Sequence, residues 1–327
     1  MNKAAPKDQY PFLCVDDFLK TLVDARALAS ALELGLIDRL WGGGSMAKIT
    51  LAAGLEMEPR GFDLLLGLLT ANQVLAEVGG EIRLTPDFAQ ALQYRDLLET
   101  RLDFAAAVLV DCHDLFTELL ARPGEFMARS KVFEMFRYDL AMEETAENYR
   151  ITASWMRFTT GLTRYEALAC LEHYDFAAHH RMLDIGGNSG EFVLRVCKAH
   201  AAIEASVFDL PVVCAVGRDN VSREPEAGRI TFHKGDARTG VLPEGFDLVS
   251  FKSFLHDWPE DEASTMLARA VDALAPGGSL LIFERCPSSK HLGHVIVFPM
   301  GGSGSSRFDV MPLVVDGSSG VFGWSVS

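Results

Sequence analysis

The side chains of this sequence best suited to acid–base chemistry are His256 and Glu284. His256 stands in Phe251-Lys-Ser-Phe-Leu-His-Asp-Trp258 and Glu284 in Leu281-Ile-Phe-Glu-Arg285, each where an apolar run gives out. An imidazole takes a proton near neutral pH and a neighbouring carboxylate can orient it, so the pair suits general-base work. A lone histidine before a helix is more often a capping or solvated residue. The place of His256 after a strand, with Glu284 ending the adjacent predicted strand, favours catalysis. Asp257 is ambiguous, since it could equally help start the helix running on from Pro259.

A second set of residues is suited to holding a ligand. In Arg181-Met-Leu-Asp-Ile-Gly-Gly-Asn-Ser-Gly-Glu191 a short apolar run ends in Asp184 and Ile185, and Gly186, Gly187 and Gly190 then form a turn of little bulk. A strand, a glycine turn and a helix N-terminus expose bare backbone N–H groups to a ligand. Asn188 stands where a further glycine could stand, and Asn tolerates positive φ better than most residues. Taken alone, these glycines fit an ordinary strand-to-helix turn equally well. Asp209 alters the balance: it ends Ser206-Val-Phe-Asp209, about 20 residues past Gly190, where an acid that binds a ribose belongs. Because Asn188 breaks the nicotinamide fingerprint, a ribose and adenine are implied and a pyrophosphate is not. Gly235-Asp236 and Lys252 follow at the next strand ends, and a carboxylate at Asp236 could accept from an exocyclic amine.

These positions need a scaffold of alternating strands and helices. From His180 onward, strands are predicted at 182–184, 205–208, 230–232, 246–251 and 279–283, with helices at 191–200, 212–218 and 262–274 between them. That pattern is a doubly wound parallel sheet, which binds ligands at the carboxyl ends of its strands. Upstream the spacing is helical. Residues 16–40 carry an apolar stripe interrupted at Gly35, 45–53 and 59–71 read as two more helices, and 73–84 alternates around Gly79-Gly80 as a hairpin. Helix, helix and hairpin suggest a winged-helix-like unit. Residues 97–121 and 132–172 read as two long helices. The second contains Trp155, Met156 and Phe158, which could line an aromatic pocket, although such a stripe is more often core.

Composition narrows the partners. The chain has 327 residues, 49% hydrophobic and 23% charged, enough for two domains with real cores. A formal net charge of −15 disfavours nucleic acid or an anionic membrane as main partner and points to a packing or dimerisation role for the winged-helix-like unit. Phe18, Leu22, Leu32 and Leu36 offer more apolar surface than one small domain needs, so a homodimer is expected. No signal-peptide pattern and no membrane-length apolar run are present, and the six cysteines form no C-x-x-C pair. The expectation is a cytoplasmic protein with reduced core thiols and no metal site.

Leu183-Asp-Ile-Gly-Gly-Asn-Ser-Gly190, Phe208-Asp-Leu-Pro211, Gly235-Asp236, Phe251-Lys-Ser-Phe-Leu-His-Asp-Trp-Pro-Glu-Asp-Glu262 and Leu274-Ala-Pro-Gly-Gly278 together resemble the small-molecule O-methyltransferases, from about Phe18 to about Val315. This is the group of the caffeic-acid, acetylserotonin and bacterial polyketide enzymes. The resemblance implies a Rossmann-like methyltransferase sheet behind a helical, winged-helix-like dimerisation domain. Its parts would be a dimerisation domain over 1–100, a helical connector contributing to the substrate pocket over 101–178, and an S-adenosylmethionine-binding domain over 179–327. It further implies a cofactor set of Asp184, Gly186, Gly187, Gly190, Asp209, Leu210, Gly235, Asp236 and Lys252, with His256 as base and Glu284 holding it. The acceptor, a hydroxylated hydrophobic small molecule, would meet Trp155, Met156, Phe158 and Met311. Carbon methylation of a pigment-like ring and a cofactor-binding regulator that has lost activity are the alternatives.

The C-terminus departs from that family. Residues 308–315 resemble the helix that usually lines the substrate pocket, although Pro312 suits a helix poorly. Gly301-Gly-Ser-Gly-Ser-Ser306 reads as linker, and Gly317 to Ser327 replaces an expected helix, closing strands and a further acidic catalytic residue. The expectation is a truncated or frame-altered member with an exposed sheet edge after the fifth strand, poor solubility, and cofactor binding that outlasts catalysis.

Overall fold

A computed structural model of the chain describes residues 11–18, 22–55, 57–284, 312–315 and 319–325. They fall into two compact units, Met1–Glu134 and Met135–Ser327. In the first unit the predicted 16–40 helix is three pieces: a 3-10 turn over Pro11–Phe18, then α1 (Leu22–Glu33) and α2 (Leu36–Gly43). Gly35 separates the last two with φ +75°, a left-handed conformation that glycine adopts without steric cost. Next come β1 (Met46–Ala47), α3 (Lys48–Ala53), α4 (Pro59–Ala71), β2 (Leu75–Val78) and β3 (Glu81–Leu84). The strands form a three-stranded sheet in the order β1-β3-β2, its hairpin turning at Gly79 and Gly80. This is the helix, helix and hairpin order read from the sequence. The expected dimer surface needs correction, because Phe18 and Leu36 are 3% and 0% exposed and serve as core, while the Leu22 side chain lies outside the described residues.

Beyond α5 (Pro86–Ala91), the long α6 (Arg95–Ala121), α7 (Pro123–Arg129) and α8 (Lys131–Met135), the predicted 132–172 helix is also broken. Asp111 is buried and accepts the Ser130 hydroxyl and the Lys131 and Val132 amides at 2.5–2.9 Å, which fixes the start of α8. A 3-10 turn over Tyr138–Met142 follows, and α9 (Ala146–His173) begins where Thr145 accepts the Asn148 amide at 3.1 Å. Short polar side chains that bond backbone N–H groups start helices, and here they outweigh the lack of Pro or Gly.

The second unit is built on β4 (Arg181–Ile185), β5 (Glu204–Asp209), β6 (Ile230–Lys234), β7 (Phe246–Lys252) and β8 (Leu274–Glu284), with α10 (Glu191–Ala199), α11 (Pro211–Val221) and α12 (Glu260–Asp272). These five strands are parallel in the order β6-β5-β4-β7-β8. Leu183, Ile185, Phe208, Val249, Phe251 and Leu280 form the centre of the sheet's core and are almost wholly buried, as strands covered on both faces require.

The edge expected to be bare is paired. β9 (Pro312–Val315) and β10 (Ser319–Ser325) complete a seven-stranded sheet, with β10 antiparallel to β8 from Gly320↔Glu284 to Ser325↔Ser279. Composition misled here because a ladder bonds through the backbone, and Val321, Phe322 and Trp324 are good strand residues among the glycines and serines. Residues 312–315 are strand rather than helix, with Pro312 at the first strand position, where proline is tolerated. Residues 308–311, and with them Met311, lie outside the described residues. Hydrogen exchange is expected to show 319–325 protected together with 279–284; exchange at the rate of a free peptide would contradict the pairing.

Cys170, Cys197 and Cys214 are buried thiols; Cys286 lies outside the described residues. No helix among the described residues is long and apolar enough to cross a membrane.

Candidate active site

At the carboxyl end of β4 the chain turns with Gly186, Asn188 and Gly190 at φ +69°, +54° and +71°. Asn188 adopts the left-handed conformation anticipated for it, and its side-chain oxygen accepts the Ser189 amide at 2.8 Å and the Thr159 hydroxyl at 3.0 Å. A Cβ at Gly186 would collide with the Phe254 ring, and one at Gly190 would lie 2.8 Å from the Phe232 ring. Under Gly187 sits Asp184, 1% exposed, accepting the Ser250 hydroxyl at 2.6 Å. Burial pushes the Asp184 carboxyl up to about 7 despite that bond.

Asp209 ends the neighbouring β5. Its two oxygens accept the backbone N–H groups of Asn188 and Leu210 at 2.8 and 2.7 Å, so the glycine turn and the carboxylate fix one another. Burial raises its carboxyl to about 6, and the two amides oppose that rise. Gly235 donates its amide to the Asp209 carbonyl at 2.9 Å, bringing the β6 end alongside. Asp236 beyond it is clasped by Arg238, whose guanidinium reaches both carboxylate oxygens at 2.7–3.2 Å and holds that carboxyl below its usual value. The same guanidinium carbon lies 4.9 Å over the Trp258 ring. The sequence reading missed Arg238; its place two residues after Asp236 was the available signal.

Lys252, at the end of β7, is 9% exposed, and its ammonium reaches Glu166 at 2.5 Å and Thr163 at 2.9 Å on α9. Glu166 was also missed, although a carboxylate inside a mostly apolar helical stretch asks for a buried cation. In the parallel register Lys252 faces Phe283, so the loop after β7 and Glu284 share one edge of the sheet. There the His256 Nδ1 lies 2.6 Å from Glu284 Oε2, while Glu284 Oε1 accepts the amides of Phe254 and Leu255, both at 2.8 Å. A carboxylate offers no proton, so Nδ1 carries the hydrogen and Nε2 presents a lone pair. The pair inferred from sequence is therefore in contact.

Trp155 and Met156 are buried, at 3% and 1%, in a cluster with Ala141, Val212 and Val213, against which Phe158 and Leu210 pack. They behave as core, the commoner alternative, although the Trp155 indole N–H is buried without a hydrogen-bond partner.

Residues 125–294 match the sequence profile of the O-methyltransferase domain. O-demethylpuromycin-O-methyltransferase of Streptomyces alboniger is 31% identical over 310 residues, covering 90% of this chain and 80% of its own. The chain belongs to the O-methyltransferase domain family. Within that family, the 3-hydroxy-5-methyl-1-naphthoate 3-O-methyltransferase of Streptomyces sahachiroi is 28% identical to this O-methyltransferase across 82% of the chain and 75% of the relative. The solved structure of human N-acetylserotonin methyltransferase in complex with SAM superposes with a TM-score of 0.71 at 19% identity, covering 99% of each chain. It shares the fold.

The residues present suit S-adenosylmethionine. Asp209 keeps lone pairs beyond the two amides it accepts, enough for a ribose diol, and it stands against the turn in which Gly186 and Gly190 adopt positive φ.

Proposed function

We propose that this O-methyltransferase moves a methyl group from S-adenosylmethionine to a hydroxyl of a hydrophobic, aromatic small molecule, with His256 as general base. The contact between His256 and Glu284 carries the reading, because it fixes the tautomer in which Nε2 can take a proton at the end of the sheet where Asp209 also ends its strand. Gly186, Asp209, Leu210, Gly235 and Asp236 would hold the cofactor, with Gly187, Gly190, Asp184 and Lys252 shaping or bracing its seat. When bound, the cofactor supplies an electrophilic methyl on a sulfonium. His256 Nε2 takes the hydroxyl proton as the acceptor oxygen becomes the nucleophile, and Glu284 balances the imidazolium charge.

Incubating the enzyme with labelled S-adenosylmethionine and pooled phenols and enols tests this reading. Label recovered in an O-methyl ether supports it, label on ring carbon moves the activity to carbon methylation, and cofactor binding without any transfer supports a regulator. A homodimer through the first unit belongs to the same reading. Phe116 and Leu120, one helical turn apart on α6, are 50% and 72% exposed, and light scattering of the intact chain is expected to give twice the monomer mass.

The raised Asp209 carboxyl gives a pH signature. A diol donates to the ionised form, so binding favours deprotonation. Affinity for S-adenosylmethionine is expected to hold above about 6 and to fall below it by up to about tenfold per pH unit, with proton release on binding. Calorimetry in buffers of different ionisation enthalpy reads both effects; a flat affinity from pH 5 to 8 would remove Asp209 from the site.

A further inference from the structure

Tyr138 lies next to the base without touching it. Its hydroxyl donates to Asp257 Oδ2 at 3.3 Å, and the other oxygen of that carboxylate, Oδ1, is 3.4 Å from His256 Nε2. Nε2 is the nitrogen left to take the proton once Glu284 holds Nδ1. The ring of Tyr138 is fixed by neighbours: Trp155 packs edge-on at 5.7 Å and Trp258 stacks at 6.5 Å with 27° between planes. Asp257 itself is exposed and sits on a short 3-10 turn.

We infer that Tyr138 is a positioning residue for proton removal, holding one oxygen of Asp257 so that the other stays beside His256 Nε2. The inference rests on His256 being the base. A carboxylate on each side of the ring, Glu284 at Nδ1 and Asp257 at Nε2, favours the imidazolium and so strengthens His256 as a base. Tyr138 does this as a neutral donor: burial, then the charges of Asp257 and Asp209, hold its phenol well above the ordinary value. The acceptor hydroxyl would approach Nε2 past Asp257 Oδ1, which can also accept and orient its proton before transfer.

The test is a double-mutant cycle of Tyr138→Phe and Asp257→Ala in the full-length enzyme, read by single-turnover transfer across pH together with cofactor affinity. Tyr138→Phe keeps the packed ring. It is expected to lower the transfer rate about threefold to tenfold, the loss matching one hydrogen bond, and to move the acidic limb of the pH–rate profile to lower pH. Cofactor affinity should stay at the parental value, and in the Asp257→Ala background the tyrosine change should have no further effect. A parental rate and profile for Tyr138→Phe overturns the proposal, as does a full additional loss when Asp257 is already absent. His256→Gln measured alongside separates the two levels. Parental transfer by that variant removes the base itself, whereas an inactive His256→Gln beside an unchanged Tyr138→Phe removes only the positioning role.

Discussion

Replacing His256 by Gln is expected to leave S-adenosylmethionine affinity unchanged and to lower methyl transfer by about 10²–10⁴-fold, the usual contribution of a positioned general base. Gln fills nearly the same space and can still hydrogen-bond Glu284, but it has no basic nitrogen at neutral pH. The loop should persist, because Glu284 Oε1 is held independently by the Phe254 and Leu255 amides at 2.8 Å. Single-turnover transfer to an acceptor found in the screen is the measurement. The loss should shrink as pH rises towards the acceptor's own pKa, since an ionised acceptor needs no base. Transfer at the parental rate across that range would place the base elsewhere.

The second large effect is expected at Asp209. Asp209→Ala should weaken S-adenosylmethionine binding by about 10²-fold or more, because hydrogen bonds to a charged group are each worth about 1.5–3 kcal/mol and a ribose diol loses two. The same substitution strips the Asn188 and Leu210 amides of their acceptor, so the glycine turn loosens as well. Asp209→Asn separates these contributions. It returns one side-chain oxygen and removes the charge, so it should recover part of the affinity while abolishing the pH dependence near 6. Calorimetry that finds equal affinity for Asp209→Ala would end the assignment. His256→Gln and Asp209→Ala should fail differently, the first binding cofactor without turnover and the second failing to bind it.

Much of the site was legible because its determinants are local. A strand followed by a small-residue turn and a helix start can be read from adjacent residues, and parallel alternation fixes which strand ends share an edge. Gly186, Asn188, Asp209, His256 and Glu284 therefore took their expected places at the ends of β4, β5, β7 and β8. The long helical stretches were less legible. Apolar spacing over 132–172 hid the break before Ala146, because the Thr145 cap acts through a single hydrogen bond that periodicity does not register.

Sequence alone thus determined the doubly wound sheet, the glycine turn and the strand ends that bring His256 against Glu284, each encoded within a strand and the few residues after it. Tertiary structure decided the partners of the charged residues. Lys252 turns to Glu166, 86 positions away, because a buried ammonium costs several kcal/mol unless a counter-charge meets it, and α9 is the element packed there. Tyr138 reaches Asp257 across 119 positions because the 3-10 turn after α8 brings its ring between Trp155 and Trp258. The far edge of the sheet was decided in the same way. Side-chain composition argues against order in 319–325, but β8 offers a row of unpaired backbone groups, and a strand that meets them gains hydrogen bonds whatever its side chains.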